Sequence, residues 1–154
     1  MEIRQATIND LEVILELFLE LDTLSIQQQP EHFQRCERSI EYLCEIVNSE
    51  SSDFLLLIID EKIVGFSLIF MKEVKGLSLL IPCKYAYIQD FVITESCRNK
   101  GYGKLLMEAS KEWANKHGAD YLRLSVIPKN EAGVRFYIKN GLSEQMITME
   151  CKIN

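Results

Sequence analysis

Two glycines, Gly101 and Gly103, stand one residue apart in the stretch "RNKGYGKLL", which directly follows the apolar run "YIQDFVI". The stretch also carries three cations, Arg98, Lys100 and Lys104. A helical pattern begins here, and a helix N-terminus exposes unpaired N–H groups that carry partial positive charge. Glycine lets the backbone approach an anion closely and adopt a positive φ. The stretch therefore predicts a site for a diphosphate or another phosphorylated cofactor, with a plain helix-start turn as the alternative.

Two familiar phosphate motifs do not match this turn. A dinucleotide fingerprint G-x-G-x-x-G requires a third glycine where Leu106 stands. A P-loop requires a glycine at the position of Arg98, ahead of Gly103 and Lys104. The spacing alone therefore indicates an anion site without naming its class.

The elements that must position this turn alternate between strands and helices. Strand patterns cover residues 2–6, 53–60, 63–71, 85–93 and 120–127, and helical patterns cover residues 7–21, 37–48, 103–117 and 130–140. The last segment, "SEQMITMECKI", predicts one or two further strands. This order indicates an α/β domain in which residues 85–127 form a parallel βαβ unit.

The segment "FVITESCRNKGYGKLL" resembles the acetyl-CoA-binding segment of the GNAT N-acetyltransferase family, whose signature is (R/Q)-x-x-G-x-(G/A) after a buried strand. A second family segment, N-x-x-A-x-x-x-Y-x-x-x-G-F, is similar to "NEAGVRFYIKNGL", which keeps Asn130, Tyr137 and Gly141. Two positions depart from it, because Gly133 replaces the usual alanine and Leu142 the usual phenylalanine. The order of elements matches over essentially the whole chain, so the sequence is identified as a member of this family.

The resemblance implies a GNAT fold of the α/β (α+β) class. We expect a mixed, twisted sheet of six or seven strands with about four helices, in a single N-acetyltransferase domain that spans residues 1–154. Acetyl-CoA would lie in a splay between the strand that ends at Ile93 and the strand Tyr121–Ile127. The apolar connector Leu77–Ile81 has two open interpretations, a cover over the acceptor site or an edge of a homodimer.

The resemblance also implies direct transfer of an acetyl group from acetyl-CoA to a primary amine. The pantetheine arm would pair with the main chain of Phe91, Val92 and Ile93. The pyrophosphate would bind near Arg98, on the backbone amides of Asn99, Lys100, Gly101, Tyr102, Gly103 and Lys104.

Two residues of the second segment have a chemical role in the family and a structural alternative. Asn130 matches a position that contacts the pantetheine or phosphate region, and it is also a suitable helix N-cap. Tyr137 matches the general acid that protonates the departing thiolate, because a phenol with a reference pKa of about 10 is protonated at neutral pH. Packing in the core is the alternative role for Tyr137.

The general base has no assignment from the sequence. Some relatives carry a glutamate where this chain has Gln89, which cannot accept a proton. Asp90 is adjacent, but regular strand alternation places it on the opposite face from Gln89. We expect Asp90 to act through water or to be a structural carboxylate.

Composition limits the other classes of function. The net charge of −6 argues against a nucleic-acid partner, because binding phosphates needs a basic surface. Five scattered cysteines without a C-x-x-C pair favour reduced thiols and no metal site. No signal-peptide pattern or membrane-length apolar run is present, so we expect a cytoplasmic protein without a membrane partner.

The expected partners are a small-molecule or peptide amine and, from the connector, a second copy of the chain. The alternative function is a non-catalytic acyl-CoA-binding module that acts as a sensor or scaffold.

Overall fold

The computed structural model describes residues 1–76 and 78–153. Its helices are α1 (Leu11–Gln28), α2 (Ile40–Val47), α3 (Tyr102–Lys116) and α4 (Glu131–Lys139). Its strands are β1 (Glu2–Gln5), β2 (Ser52–Ile59), β3 (Lys62–Val74), β4 (Cys83–Ile93) and β5 (Tyr121–Leu124). Within these ranges no helix is both long and apolar enough to cross a bilayer.

The five strands form one mixed sheet in the order β1-β2-β3-β4-β5. The first three neighbouring pairs are antiparallel, and β4 with β5 is parallel. Helix α3 connects the two parallel strands, as the predicted βαβ unit requires. The mixed sheet and the four helices confirm the predicted fold class.

The prediction of six or seven strands is wrong for the part of the chain that the structure describes. The missing strands are those expected in residues 143–153, which we call the C-terminal segment. This segment is exposed throughout, has no regular secondary structure and makes no backbone–backbone hydrogen bond to any described residue. An alternating sequence favours an extended chain, but a strand also needs a neighbouring edge with which to pair.

The sheet separates two apolar cores. On one face α1 and α2 cover a cluster built around Phe18, Phe54 and Phe66, whose ring centroids lie 4.8–6.1 Å apart. On the other face α3 and α4 cover a cluster that includes Leu106 and Trp113. Residues of β4 therefore face one core or the other according to their register.

Strands β4 and β5 separate before β4 ends. Their pairing runs from Tyr85 opposite Tyr121 to Ile88 opposite Leu124, whereas β4 continues to Ile93. Residues 89–93 of β4 thus have a backbone edge without a β5 partner in the described structure. This is an opening where the sequence placed the splay, and β5 is shorter than predicted.

The entry into α1 is held by a buried carboxylate. Asp10 accepts two hydrogen bonds of 2.8 Å from the Arg4 guanidinium, and others from the backbone N–H and hydroxyl of Thr7. The Arg4 hydrogen bonds, with help from Thr7, hold the pKa of Asp10 well below its usual range although burial opposes this. The pair fixes β1 to the start of α1.

We expect Asp10→Asn to destabilise the protein by about 1–3 kcal/mol at pH 7, because Arg4 loses its charged partner. The pKa of Asp10 is lower in the folded protein than in the unfolded chain, where it is about 4. The carboxylate therefore contributes fully to the free energy of unfolding above about pH 4, and this contribution declines as the pH falls below that value. Urea unfolding at pH 7 and pH 3 measures this, with Glu12→Gln, an exposed carboxylate two residues away, as the control. An equal loss of stability at both pH values would contradict this assignment.

Candidate active site

The glycine turn precedes α3 and leaves backbone donors free. Asn99 has φ 60° and Gly101 has φ 84°, so both lie in the left-handed region that the chain needs to reach the helix start. The backbone N–H groups of residues 99–103 have no acceptor among the described residues. A Cβ built on Gly101 meets nothing within 4 Å, so space remains above the turn. The turn could therefore hold an anion on these free N–H groups.

Gly103 has a different reason to be glycine. A Cβ at this position would lie 3.1 Å from the ring of Phe136, which is closer than ordinary packing allows. The absent side chain therefore lets the first turn of α3 approach α4. Gly101 thus permits the turn, and Gly103 permits the close packing of α3 against α4.

The three cations of the turn have different surroundings. Arg98 donates from Nε to the carbonyl of Ile93 and from Nη2 to Glu20 Oε1, at 2.8 and 2.7 Å. Lys100 donates to the carbonyl of Ser96 at 2.9 Å. Lys104 is exposed and makes no salt bridge to any residue that the structure describes. Lys104 is therefore the cation whose charge is most available to a ligand.

Glu20 of α1 connects this turn to the rest of the protein. Besides Arg98, its carboxylate accepts from the Thr94 hydroxyl at 2.9 Å and from the Glu95 backbone N–H at 2.8 Å. One side chain thus holds both the end of β4 and the residue that begins the motif. The sequence analysis missed Glu20, since a charge in the middle of a helix carries no signal for a partner 78 residues away.

Tyr137 lies on the α3/α4 side of the opening. Its ring packs edge-on against Phe91 of β4, with centroids 6.3 Å apart, and against the neighbouring Phe136. Burial raises the pKa of Tyr137 to about 12. Its hydroxyl has no hydrogen-bond partner within the described part of the chain, so the proton is free to meet a ligand.

A β-bulge changes the expected geometry of β4. Leu68 of β3 pairs with Asp90 while Ile69 pairs with Ile88, so Gln89 is an extra residue in the ladder. The prediction that Asp90 faces away from Gln89 is wrong, because the bulge resets the alternation and both side chains line one pocket. The pocket lies on the α1/α2 side and has a volume of about 450 Å³.

Asp90 has the electrostatics of a proton acceptor. Burial raises the pKa of its carboxyl to about 6, and the positive charge of Arg38 partly opposes the shift. Arg38 is itself held by two hydrogen bonds to Asp22, of 2.8 and 2.9 Å, and its guanidinium lies 3.9 Å from the ring centroid of Phe18. Asp90 is thus mostly ionised at pH 7 and can still take a proton.

The connector does not form a cover over this pocket in the described structure. Leu77 lies outside the described residues, and Leu79 and Ile81 are 92% and 87% exposed. His32 contacts Glu150 at 2.6 Å, and His117 stacks on Trp113 with centroids 3.8 Å apart. Neither histidine lines the pocket.

With this geometry in place, a comparison with protein families finds one that spans most of the chain. Residues 18–142 match the model of the acetyltransferase (GNAT) family. The chain belongs to the GNAT family. The family predicted from the glycine turn and the second segment is therefore confirmed.

Curated relatives of the chain include N-acetyltransferases of Bacillus subtilis. Over 54 residues the chain is 39% identical to the uncharacterized N-acetyltransferase YhdJ of Bacillus subtilis, a match that covers 35% of this chain and 38% of YhdJ. The chain spans less than half the length of the curated relatives it matches. A crystal structure of a mutant of the BH1408 protein from Bacillus halodurans superposes over 100% of both chains, with a TM-score of 0.94 and 27% identity. Aminoglycoside N-acetyltransferase AAC(6′)-Iy in complex with CoA shares the fold, with a TM-score of 0.75, 16% identity and 99% coverage of both chains.

The departure of this GNAT domain at Gly133 has a local explanation. Asn130 caps α4, and its side-chain oxygen accepts from the Gly133 backbone N–H at 3.0 Å. A Cβ on residue 133 would lie 2.5 Å from the side-chain nitrogen of Asn130. The glycine therefore leaves room for this rotamer of the cap, and the structural role of Asn130 is observed directly.

Proposed function

We propose that this GNAT domain is an acetyl-CoA-dependent N-acetyltransferase that transfers an acetyl group directly to the primary amine of a small cationic acceptor. The observation that carries the proposal is the opening beside β4. Tyr137 lies on one side of it and Asp90 on the other, and the free N–H groups of residues 99–103 follow the end of the strand.

The donor side has groups that fit coenzyme A. The unpaired backbone of residues 89–93, which includes Phe91, Val92 and Ile93, can form strand-like hydrogen bonds with the amides of a pantetheine arm. The N–H groups of Asn99, Lys100, Gly101, Tyr102 and Gly103 can bind a pyrophosphate, and Lys104 adds positive charge beside them. Arg98 contributes by holding the turn through Glu20 rather than by direct contact.

The acceptor side favours a cation. Glu37 and Asp90 line the pocket together with the phenol of Tyr42 and the amide of Gln89. The guanidinium of Arg38 is also there, but its charge is compensated by Asp22. A pocket of about 450 Å³ admits a small amine or the end of a peptide.

The roles of the protein's own groups follow from their protonation. Bound acetyl-CoA supplies the thioester whose acetyl group is transferred. Asp90, ionised above pH 6, accepts the proton that the nitrogen must lose. Tyr137 donates a hydrogen bond to the departing sulfur. Because its pKa of about 12 far exceeds the thiol reference value of about 8.5, it stabilises the thiolate without giving up its proton, which comes from solvent instead.

Amine-stimulated release of free CoA thiol tests the proposal. A panel would include diamines, polyamines, amino acids, an aminoglycoside and short peptides, each with acetyl-CoA and the full chain. The exposed cysteines Cys36 and Cys151 also react with thiol reagents, so each assay needs a blank without acetyl-CoA. We expect at least one cationic amine to stimulate release and to yield the N-acetylated product by mass spectrometry.

Tight CoA binding without release by any amine would instead favour the non-catalytic acyl-CoA-binding module. Release of thiol with propionyl-CoA or a longer thioester, but not with acetyl-CoA, would show that the acyl donor is not acetyl-CoA. The reaction would still be acyl transfer to an amine.

The Glu20 contacts lead to a separate prediction about donor affinity. We expect Glu20→Gln to raise the dissociation constant for CoA about ten-fold, which corresponds to about 1.4 kcal/mol, because the turn loses the charge that orients Arg98. The kcat should change little. Calorimetric titration with CoA measures the effect, and Glu16→Gln, a carboxylate one helical turn earlier, is the control. Equal CoA affinity in the two variants would exclude the positioning role.

A further inference from the structure

The face of the sheet that carries the proposed acceptor pocket continues beyond that pocket. Leu68 of β3 and Asp90 of β4 are register partners, and both line the pocket. Four residues further along β3, Lys72 pairs with Tyr85 of β4. Alternate residues of a strand share a face, so Lys72 lies on the same side of the sheet as Leu68, and its register partner lies there with it. A surface on the α1/α2 side of the sheet therefore extends from the pocket along β3 and β4.

Strand β5 widens this surface on the other side of β4. Arg123 of β5 is the register partner of Tyr87. Tyr121 is the register partner of Tyr85 and is 57% exposed. The Tyr87 hydroxyl donates to Ser125 Oγ at 3.0 Å, which connects β4 to the end of β5. We call the resulting set of aromatic and cationic side chains the tyrosine platform; its members are Lys72, Tyr85, Tyr87, Tyr121 and Arg123.

The two cations of the tyrosine platform lie on aromatic rings. Lys72 Nζ is 4.4 Å from the ring centroid of Tyr87. The Arg123 guanidinium is 4.5 Å from the ring centroid of Tyr85. Neither cation forms a salt bridge with a carboxylate in the part of the chain that the structure describes. Because a cation–π contact orders a side chain without neutralising its charge, both charges are held in place and available to an anion.

This concentration of positive charge is a local exception on an acidic protein. The net charge is −6, and the adjoining pocket carries the carboxylates of Glu37 and Asp90. The surface thus presents negative charge at the pocket and positive charge on the tyrosine platform beside it. Electrostatic complementarity favours a ligand with the opposite order, an ammonium group at one end and an anionic group further along.

The separation of the two charged regions fits an extended peptide. Tyr87 and Tyr85 precede Asp90 by three and five residues in β4, which is roughly 10–16 Å at the rise of a strand. In an extended peptide, the fourth and fifth residues lie roughly 10–14 Å from the first. A peptide whose amino end occupies the pocket therefore brings its fourth and fifth residues over the tyrosine platform.

We propose that the acceptor is the amino end of an acidic peptide. Its terminal amine enters the pocket at Asp90, and an acidic side chain at its fourth or fifth position lies between Lys72 and Arg123. This inference rests on the proposed acetyltransferase function and narrows the acceptor from a small amine to a peptide N-terminus.

Initial rates with acetyl-CoA and three decapeptides of otherwise identical sequence test the inference. The first peptide has glutamate at its fourth and fifth positions, the second has glutamine there, and the third has the two glutamates at its ninth and tenth positions. We expect kcat/KM to be at least about ten-fold higher for the first peptide than for the second. The third peptide should resemble the second, because its charges lie beyond the tyrosine platform. Mass spectrometry of the product locates the acetyl group.

Two variants identify the cations that read the acidic side chain. Lys72→Gln and Arg123→Gln should each reduce the preference for the first peptide to about three-fold, and the double variant should abolish it. Lys84→Gln is the matched control, since it makes the same change of charge at an exposed lysine next to Tyr85, on the opposite face of β4. The control should keep the full preference.

Peptide binding separates this inference from the proposed reaction. The same peptides, labelled at the carboxyl end, are titrated with the protein and CoA and followed by fluorescence anisotropy. Glutamate-selective binding without release of CoA by any amine would contradict the transfer reaction and support the peptide site. Equal affinity and equal kcat/KM for the first two peptides, a preference that survives in the double variant, or the same preference for the third peptide would each overturn the inference, whether or not small amines are acetylated.

Discussion

Replacing Asp90 with asparagine should lower kcat/KM about 10²- to 10⁴-fold, the loss typical of removing a general base. Asparagine preserves the size of the side chain and its place at the β4 bulge, but it cannot accept a proton. In the wild-type protein, kcat/KM should rise with pH through an inflection near 6, because the carboxyl must be ionised to act. The variant should lose this inflection and keep only the dependence that comes from the acceptor amine.

Glu37→Gln is the matched control, since Glu37 lines the same pocket and is exposed. It should change the KM of a cationic acceptor more than kcat, because an exposed carboxylate contributes attraction without proton transfer. If Asp90→Asn retained the wild-type rate and the inflection near pH 6, Asp90 would be a structural carboxylate and another group would titrate.

Tyr137→Phe should lower kcat about 10²- to 10³-fold, the cost of losing one donor to developing negative charge. Affinity for CoA should stay within about two-fold, because the ring contacts with Phe91 and Phe136 do not need the hydroxyl. The melting temperature should also be preserved, since no described group bonds the hydroxyl. Rapid-mixing kinetics with saturating acetyl-CoA and calorimetric titration with CoA separate the two quantities.

The control for this substitution is Tyr121→Phe, which removes a phenol from the exposed start of β5 and should leave kcat unchanged. Burial raises the pKa of Tyr137 to about 12, so the phenol keeps its proton at lower pH. Deprotonation of Tyr137 should therefore cause no fall in the wild-type rate below about pH 11. If the Tyr137→Phe variant kept full activity, the role of Tyr137 would be limited to packing in the core.

Local chemistry made the glycine turn predictable. Gly101 occupies a backbone conformation that other residues rarely adopt, so a glycine at this position in the sequence predicts the turn directly. Asn130 as a cap of α4 is local in the same sense, because the residue it bonds lies three positions away.

The features that were missed depend on partners distant in sequence. The bulge at Gln89 is set by the register of β3 against β4, and one extra residue is enough to turn Asp90 into the pocket. In the sequence, Glu20 and Asp22 are ordinary polar residues of α1. Only in the folded protein does Glu20 bind Arg98 and Asp22 bind Arg38. The C-terminal segment has a correct strand pattern, but a pattern cannot supply the edge that completes a strand.

Helix α1 has contacts beside both of the proposed substrate sites. Glu20 holds the glycine turn, and two positions to either side along the same helix Phe18 and Asp22 hold Arg38 at the proposed acceptor pocket. We therefore expect a shift of α1 that improves the fit of one substrate to alter the affinity for the other, and thermodynamic linkage requires the two effects to be equal. Such coupling between donor and acceptor would act through one helix of a single chain.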